Sequence, residues 1–212
     1  MNILAMNTSF TESYVAVKTN AKSVYKHMDS FLKQSENILG LVDTCLNDAK
    51  INVKDLNVIS CVIGPGSFTG IRIGASLCKG MCAPFDTIKK VEINSLDLIA
   101  YTYSKNADGD FWVVLNALSG NLFVCKYNKQ GERLLEPAMW GVDTQSSING
   151  TVVGLREEYL GLCNCYVDLS SESLMEYTEQ QVKQNVFSKD FVPVYLRKSQ
   201  AEAELDKKNG NK

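Results

Sequence analysis

Histidine occurs once in the 212 residues, tryptophan twice and proline four times. A lone His27 cannot form a His-x-x-x-His metal pair, which excludes metalloprotease chemistry of that type. It would also have to serve any Ser-His-Asp triad, and its setting, Tyr25-Lys26-His27-Met28-Asp29, holds no nucleophile elbow. No stretch approaches the ~18 uninterrupted apolar residues of a membrane span. The start, MNILAMNTSF, lacks the basic and apolar regions of a secretory leader. The expectation is a cytoplasmic protein that does not engage a membrane. Charge excess is small, 22 basic against 24 acidic residues, so composition gives no dominant nucleic-acid footprint. A partner would have to supply one. The seven cysteines read as small buried hydrophobes in a reducing compartment. Zinc takes about four ligands, and Cys163-x-Cys165 with the Cys78/Cys82 pair does not assemble them. No electropositive cluster marks a cysteine nucleophile. Neither a metal nor a cofactor is expected.

What is present is a regular succession of short apolar bursts. Ile3–Ala5, Tyr14–Val17 and Ser23–Tyr25, split by polar turn residues, predict three strands of an antiparallel meander. The spacing from Ser30 to Asp48 predicts an amphipathic helix. The β-branched run Val58–Ile63 predicts a buried parallel strand. A helix follows to about Ala83, stopped by Pro84. Val91–Ile93 is a further strand, and Asn94 or Ser95 caps a helix through Tyr101. Strand, strand, strand, helix, strand, helix is the order of ribonuclease-H-like and actin-like lobes, mixed sheets with helices on their faces. Beyond Lys105 the pattern partly repeats, with strands at Phe111–Ala117, Leu122–Tyr127, Val152–Leu155 and Tyr166–Leu169 and a helix at Ser171–Gln184. The expectation is an α/β, actin-like, two-lobe fold with a reduced second lobe. Its divisions are an N-terminal lobe at 1–105, a C-terminal lobe at 106–198 and a mobile tail at 199–212.

The stretch CVIGPGSFTGIRIGASLCKGMC, Cys61 to Cys82, looks at first like a phosphate loop. A P-loop needs a lysine after its last glycine, and none follows Gly70. In G-x-G-x-x-G the third glycine would fall at Thr69, and Pro65 removes a backbone donor. What remains is a tight turn that launches a helix with Gly70 and Gly74, and Ser76 and Gly80, four residues apart. An interior glycine costs a helix ~1 kcal/mol relative to alanine, so several of them need a reason. Two stay open: close packing on the chain's own sheet, or close approach by a partner helix. Asn7-Thr8-Ser9 occupies the place where an actin-like ATPase holds its metal-bound nucleotide. Asn7 is a poor sole ligand for magnesium and also reads as a turn residue.

GPGSFTGIRIG, Gly64 to Gly74, resembles the signature of the bacterial TsaB (YeaZ) family. Other stretches resemble that family in the right order: ILAMNTS near the start, QSENILGLVDTCL from Gln34, LNALSGNLFVCKY from Leu115, and VPVYLRKSQAE from Val192. The resemblance implies an actin-like subunit that is not itself the catalyst. It implies pairing with TsaD, which carries the metal site and transfers threonylcarbamoyl to the adenosine next to the tRNA anticodon. It also implies a third component, the ATPase TsaE, and contact with tRNA through the complex. The pairing would use two helices, about Leu32–Asn47 and Thr69–Ala83 here. Candidate interface residues are Ser35, Ile38, Leu39 and Val42 on the first and Gly70, Ile73, Gly74 and Leu77 on the second. On this reading Gly74→Leu weakens association and leaves the monomer folded. Asp43 and Arg72 are candidates for pairing across the interface.

The sequence departs from the family pattern where Asn7 replaces an Asp, Gln34 a His, and Asn116-Ala117-Leu118 an Asp-Ala-Arg. Each change removes charge or a possible ligand and strengthens the non-catalytic reading. The alternatives are an autonomous actin-like kinase, which would need acidic metal ligands and phosphate loops, and an inactive peptidase-like scaffold. A homodimer through the same helices, when no other partner is present, is compatible with the main reading.

Overall fold

The computed structural model describes residues 1–28, 34–156, 158 and 160–196. Strands β1 (Ile3–Asn7), β2 (Ser13–Lys18), β3 (Ser23–Met28), β4 (Val58–Gly64) and β5 (Lys89–Asn94) form one sheet in the order β3-β2-β1-β4-β5. β2 runs antiparallel to β1 and β3, and β4 parallel to β1 and β5. Helix α1 (Gln34–Ala49) follows β3, α2 (Phe68–Cys82) joins β4 to β5, and α3 (Ser95–Ser104) follows β5. The predicted helix start, Ser30 to Lys33, lies outside the described residues, as does the expected tail at 199–212.

The second half repeats this plan. Strands β6 (Phe111–Asn116), β7 (Leu122–Tyr127), β8 (Ala138–Trp140), β9 (Thr151–Leu155) and β10 (Cys165–Val167) pair in the order β8-β7-β6-β9-β10 with the same directions. Helix α4 (Ser171–Lys183) matches α3. The reduction is in the other two helices. A 3₁₀ turn at Val142–Ser147 stands where α1 would be, and no helix joins β9 to β10 among the described residues. The duplication reaches single atoms. Asn7 Oδ1 accepts from Ser9 N at 2.9 Å and Asn116 Oδ1 from Leu118 N at 2.8 Å, each closing the same turn after the first strand of its lobe.

Alternation along the strands builds three cores. Ile3 and Ala5 of β1 and Phe111, Val113 and Leu115 of β6 point into the layer between the sheets, which α3 and α4 fill with Leu98, Ile99, Leu174 and Met175. Leu4 and Met6 point the other way, beneath α1 and α2. Trp112, Val114 and Val152 form a smaller cluster on the far face of the second sheet. The middle layer is exchanged: α4 lies on β1 and β2 of the first sheet, while α3 also touches β6 and β9 of the second. After α4 the chain returns to the first lobe. Ser188 N donates to Lys90 O at 2.8 Å and Val194 N to Ile63 O at 2.9 Å. Phe191 is fully buried in the core beneath α1 and α2. This strap covers the free edge of β5, which would otherwise present unpaired backbone groups. The sequence pattern places residues 187–196 with the second lobe, yet Ser188, Phe191 and Val194 are held by the first.

A charged clamp joins the lobes. Arg133, beyond β7, donates to Asp97 of α3 through Nε at 2.8 Å and Nη2 at 2.6 Å, and the buried Tyr127 hydroxyl donates to the same carboxylate at 2.8 Å. The Asp97 hydrogen bonds hold the guanidinium pKa above its ordinary value, against the effect of burial. Asp97→Ala leaves both donors without that acceptor. The expected loss is about 2–3 kcal/mol, below that of a fully buried pair because Arg133 is partly exposed. A urea unfolding series that includes Asp97→Asn measures it.

Candidate partner-binding face

The turn before α2 is packed rather than open. Gly64 has φ +104°, a conformation that favours glycine. A Cβ on Gly66 would lie 2.5 Å from Ser9 O, and Ser67 N donates to that oxygen at 2.9 Å. The backbone of the first lobe's Asn7–Ser9 turn therefore fills the space a phosphate would need. Asn7, Thr8 and Ser9 are buried, and the Ser9 hydroxyl donates to Val62 O at 3.2 Å.

Ser67 caps α2, its Oγ accepting from Gly70 N at 3.2 Å. The helix buries Gly70, Ile71, Gly74, Ala75, Cys78 and Cys82 against β4 and β1. Gly70 and Gly74 are on this inner side. The Thr8 hydroxyl donates to Gly70 O at 2.6 Å, and a Cβ on Gly74 would lie 2.5 Å from Thr8 Oγ1 and 3.2 Å from Cys61 Sγ. Their clearance serves the chain's own β1 turn and sheet, which corrects the expectation that they face a partner. Ile38 and Val42 are each 2% exposed and belong to the core under α1, so they support the face from within.

The remaining candidates do reach the surface. Ser35 and Leu39 are exposed, Leu39 by 60%, and Ile73 and Leu77 are half-buried. Sequence reasoning missed Gly40 of α1. It named Gly80 of α2 without placing it outward. Both are exposed, and an added Cβ on either meets nothing within 4 Å. A usable signal was present: two residues turn an α-helix by about 200°, so the Gly70/Gly74 pair and the Ser76/Gly80 pair lie on opposite sides. The outward surface of the touching helices α1 and α2 is thus apolar at Leu39, Ile73 and Leu77 and notched at Gly40 and Gly80.

Other groups offer less. Burial pushes the thiols of Cys45, Cys125 and Cys163 up to about 11, the reverse of a reactive thiolate. Among the described residues no group of three or more His, Cys, Asp or Glu is placed to hold a metal. No described helix is long and apolar enough to cross a membrane. A cavity of about 430 Å³ near the ends of β4 and β5 is lined by Glu92, Asn94, Asp97, Arg133 and Glu136. There Arg133 is already paired with both Asp97 and Glu136.

A family model described as "TsaD: tRNA N6-adenosine threonylcarbamoyltransferase" matches residues 32–153. Over 172 residues the chain is 28% identical to the tRNA threonylcarbamoyladenosine biosynthesis protein TsaB of Buchnera aphidicola subsp. Acyrthosiphon pisum, covering 78% of this chain and 75% of that one. Over 163 residues it is 25% identical to the protein of the same name from Escherichia coli, covering 76% and 68%. The chain belongs to the TsaB (YeaZ) family. TsaB proteins act in tRNA threonylcarbamoyladenosine biosynthesis, and the wider family model takes its description from the transferase TsaD. YeaZ from Pseudomonas aeruginosa has the same fold, with TM-score 0.74 at 17% identity over 92% of this chain and 99% of that one. The two-lobe, actin-like α/β architecture expected from the sequence is therefore that of the TsaB/YeaZ family.

Proposed function

We propose that this chain is a non-catalytic subunit. It binds a TsaD-type transferase subunit through the outward face of α1 and α2 and supports threonylcarbamoyl transfer to the adenosine next to the tRNA anticodon. The observation that carries this reading is the pair of open helical glycines beside an exposed leucine. Gly40 and Gly80 each cost their helix about 1 kcal/mol relative to alanine, and among the described residues nothing lies within 4 Å of a Cβ added at either. Leu39, 60% exposed on α1, and the half-buried Ile73 and Leu77 on α2 supply apolar surface. The packed glycine-rich turn and the neutral Asn7 support the non-catalytic part. In this reading TsaE joins the assembled pair, tRNA is met through the complex, the setting is cytoplasmic, and the same face pairs two copies when TsaD is absent.

The test is Gly80→Leu. Its side chain enters open space, so the isolated chain should keep its urea midpoint or gain up to about 1 kcal/mol from helix propensity. Affinity for the cognate TsaD subunit, measured by calorimetry, should fall at least tenfold. Unchanged affinity in a folded variant would overturn the reading.

A further inference from the structure

Two of the stretches that carry the family resemblance, separated by more than a hundred residues, meet at one point beside α2. Phe68 and Arg72 come from the helix, and Tyr195 comes from the strap that returns after α4. The Arg72 guanidinium carbon lies 3.9 Å from the Phe68 ring centre and 5.4 Å from that of Tyr195. The two ring centres are 5.1 Å apart. Arg72 Nε donates to the Tyr195 hydroxyl at 2.8 Å. All three residues are exposed, as is Val192 of the strap.

We propose that Arg72 is a preorganised anchor for a carboxylate side chain on the TsaD-type subunit. The inference rests on the partner reading above and adds the strap to the surface that meets the partner. The other two described arginines have carboxylates, Arg133 on Asp97 and Glu136 and Arg156 on Asp168. Among the described residues no carboxylate reaches Arg72. Its Nε is taken by Tyr195, which leaves the two terminal nitrogens, the fork that receives a carboxylate in a bidentate pair. The rings hold the guanidinium in place, so little side-chain freedom is left to lose on docking. A phosphate backbone is a poorer match. Contact with nucleic acid needs several cations together, and the nearby Lys79 is already paired with Asp190 at 2.9 Å. On α1 the outward charges are acidic, Glu36 and Asp43. The complementary surface is therefore acidic opposite α2 and not opposite α1.

Calorimetry of the full chain with its cognate TsaD subunit tests this, with Gly80→Leu run in parallel. Arg72→Gln should weaken binding at least tenfold without moving the urea midpoint, since the side chain is exposed. Arg72→Lys should recover only part, and Tyr195→Phe, which keeps the ring and removes the acceptor of Nε, should cost a few-fold. Wild-type affinity for Arg72→Gln beside weakened Gly80→Leu would remove the anchor and leave the face. Wild-type affinity for both, or no binding by the unmodified chain, would remove both. If Arg72→Gln spares the subunit pair and weakens tRNA binding by the assembled complex, the occupant is a phosphate and the proposal is overturned.

Discussion

Gly74→Leu should unfold the first lobe under conditions in which the unmodified chain stays native. Leucine is the better helix former by about 1 kcal/mol, but the local geometry outweighs that gain. Its first side-chain carbon would sit 2.5 Å from Thr8 Oγ1, well inside contact distance. Thr8 cannot retreat: it is fully buried, and its hydroxyl is bonded to Gly70 O at 2.6 Å. Cys61 Sγ, 3.2 Å from the same position, closes the other side. Overfilling a packed core costs about 1–3 kcal/mol and occasionally more, and here a buried hydroxyl also loses its acceptor. A net loss of about 3 kcal/mol or more is expected, with Gly74→Ala at about 1–2. Urea unfolding of the three proteins decides it, and a Gly74→Leu midpoint equal to that of the unmodified chain would refute the packing account. The pair Gly74→Leu and Gly80→Leu separates the two sides of one helix: the first should damage the fold, the second the association.

The contrast shows where the sequence is legible. Period-two and three-four patterns locate strands and helices, and the order of elements gives the lobe. The predicted Leu122–Tyr127 matches β7, Val58–Ile63 stops one residue short of β4, and Ser171–Gln184 overruns α4 by one. β8 is not legible in the sequence because three residues, Ala138–Trp140, cannot display an alternation. A helix pattern tells which residues are buried but not which sheet buries them. The exchange of α3 and α4 between lobes was therefore invisible, and so was the return of the strap. Small residues are the hardest to place, because glycine suits close packing inside and clearance outside equally well. The side that Gly70 and Gly74 serve is set by Thr8 beneath both and Cys61 beneath Gly74, and that of Gly40 and Gly80 by the open space around them. The cluster of Phe68, Arg72 and Tyr195 depends on a contact across 123 positions, which no local pattern encodes.

Phe191→Ala should produce the second large effect, and it links stability to association. Phe191 is fully buried, 0% exposed to solvent, and packed with residues of the first lobe. Its truncation should cost about 3–5 kcal/mol, a large share of the ~5–15 kcal/mol that holds a typical domain together. The other contacts of the strap are weaker: partly buried Phe187 and Val194, Val192 N on Glu92 Oε1, Lys90 Nζ on Lys189 O, and the surface contacts of Tyr195 with Phe68 and Arg72. The Lys79–Asp190 pair is about half exposed on both sides and is worth at most about 1 kcal/mol. The backbone bonds of Ser188 and Val194 exist only while the segment is docked. The loss should therefore appear first as local release, seen as faster hydrogen exchange at the Ser188 and Val194 amides than in β1 or β4. Release carries Tyr195 away from Arg72, so affinity for the TsaD subunit should fall at least as far as in Tyr195→Phe, although Phe191 lies beneath the surface. A variant that loses stability but exchanges those amides no faster than the core strands would show that the strap unfolds only with the whole lobe. In that case partner affinity, measured where the variant is still native, should equal that of the unmodified chain.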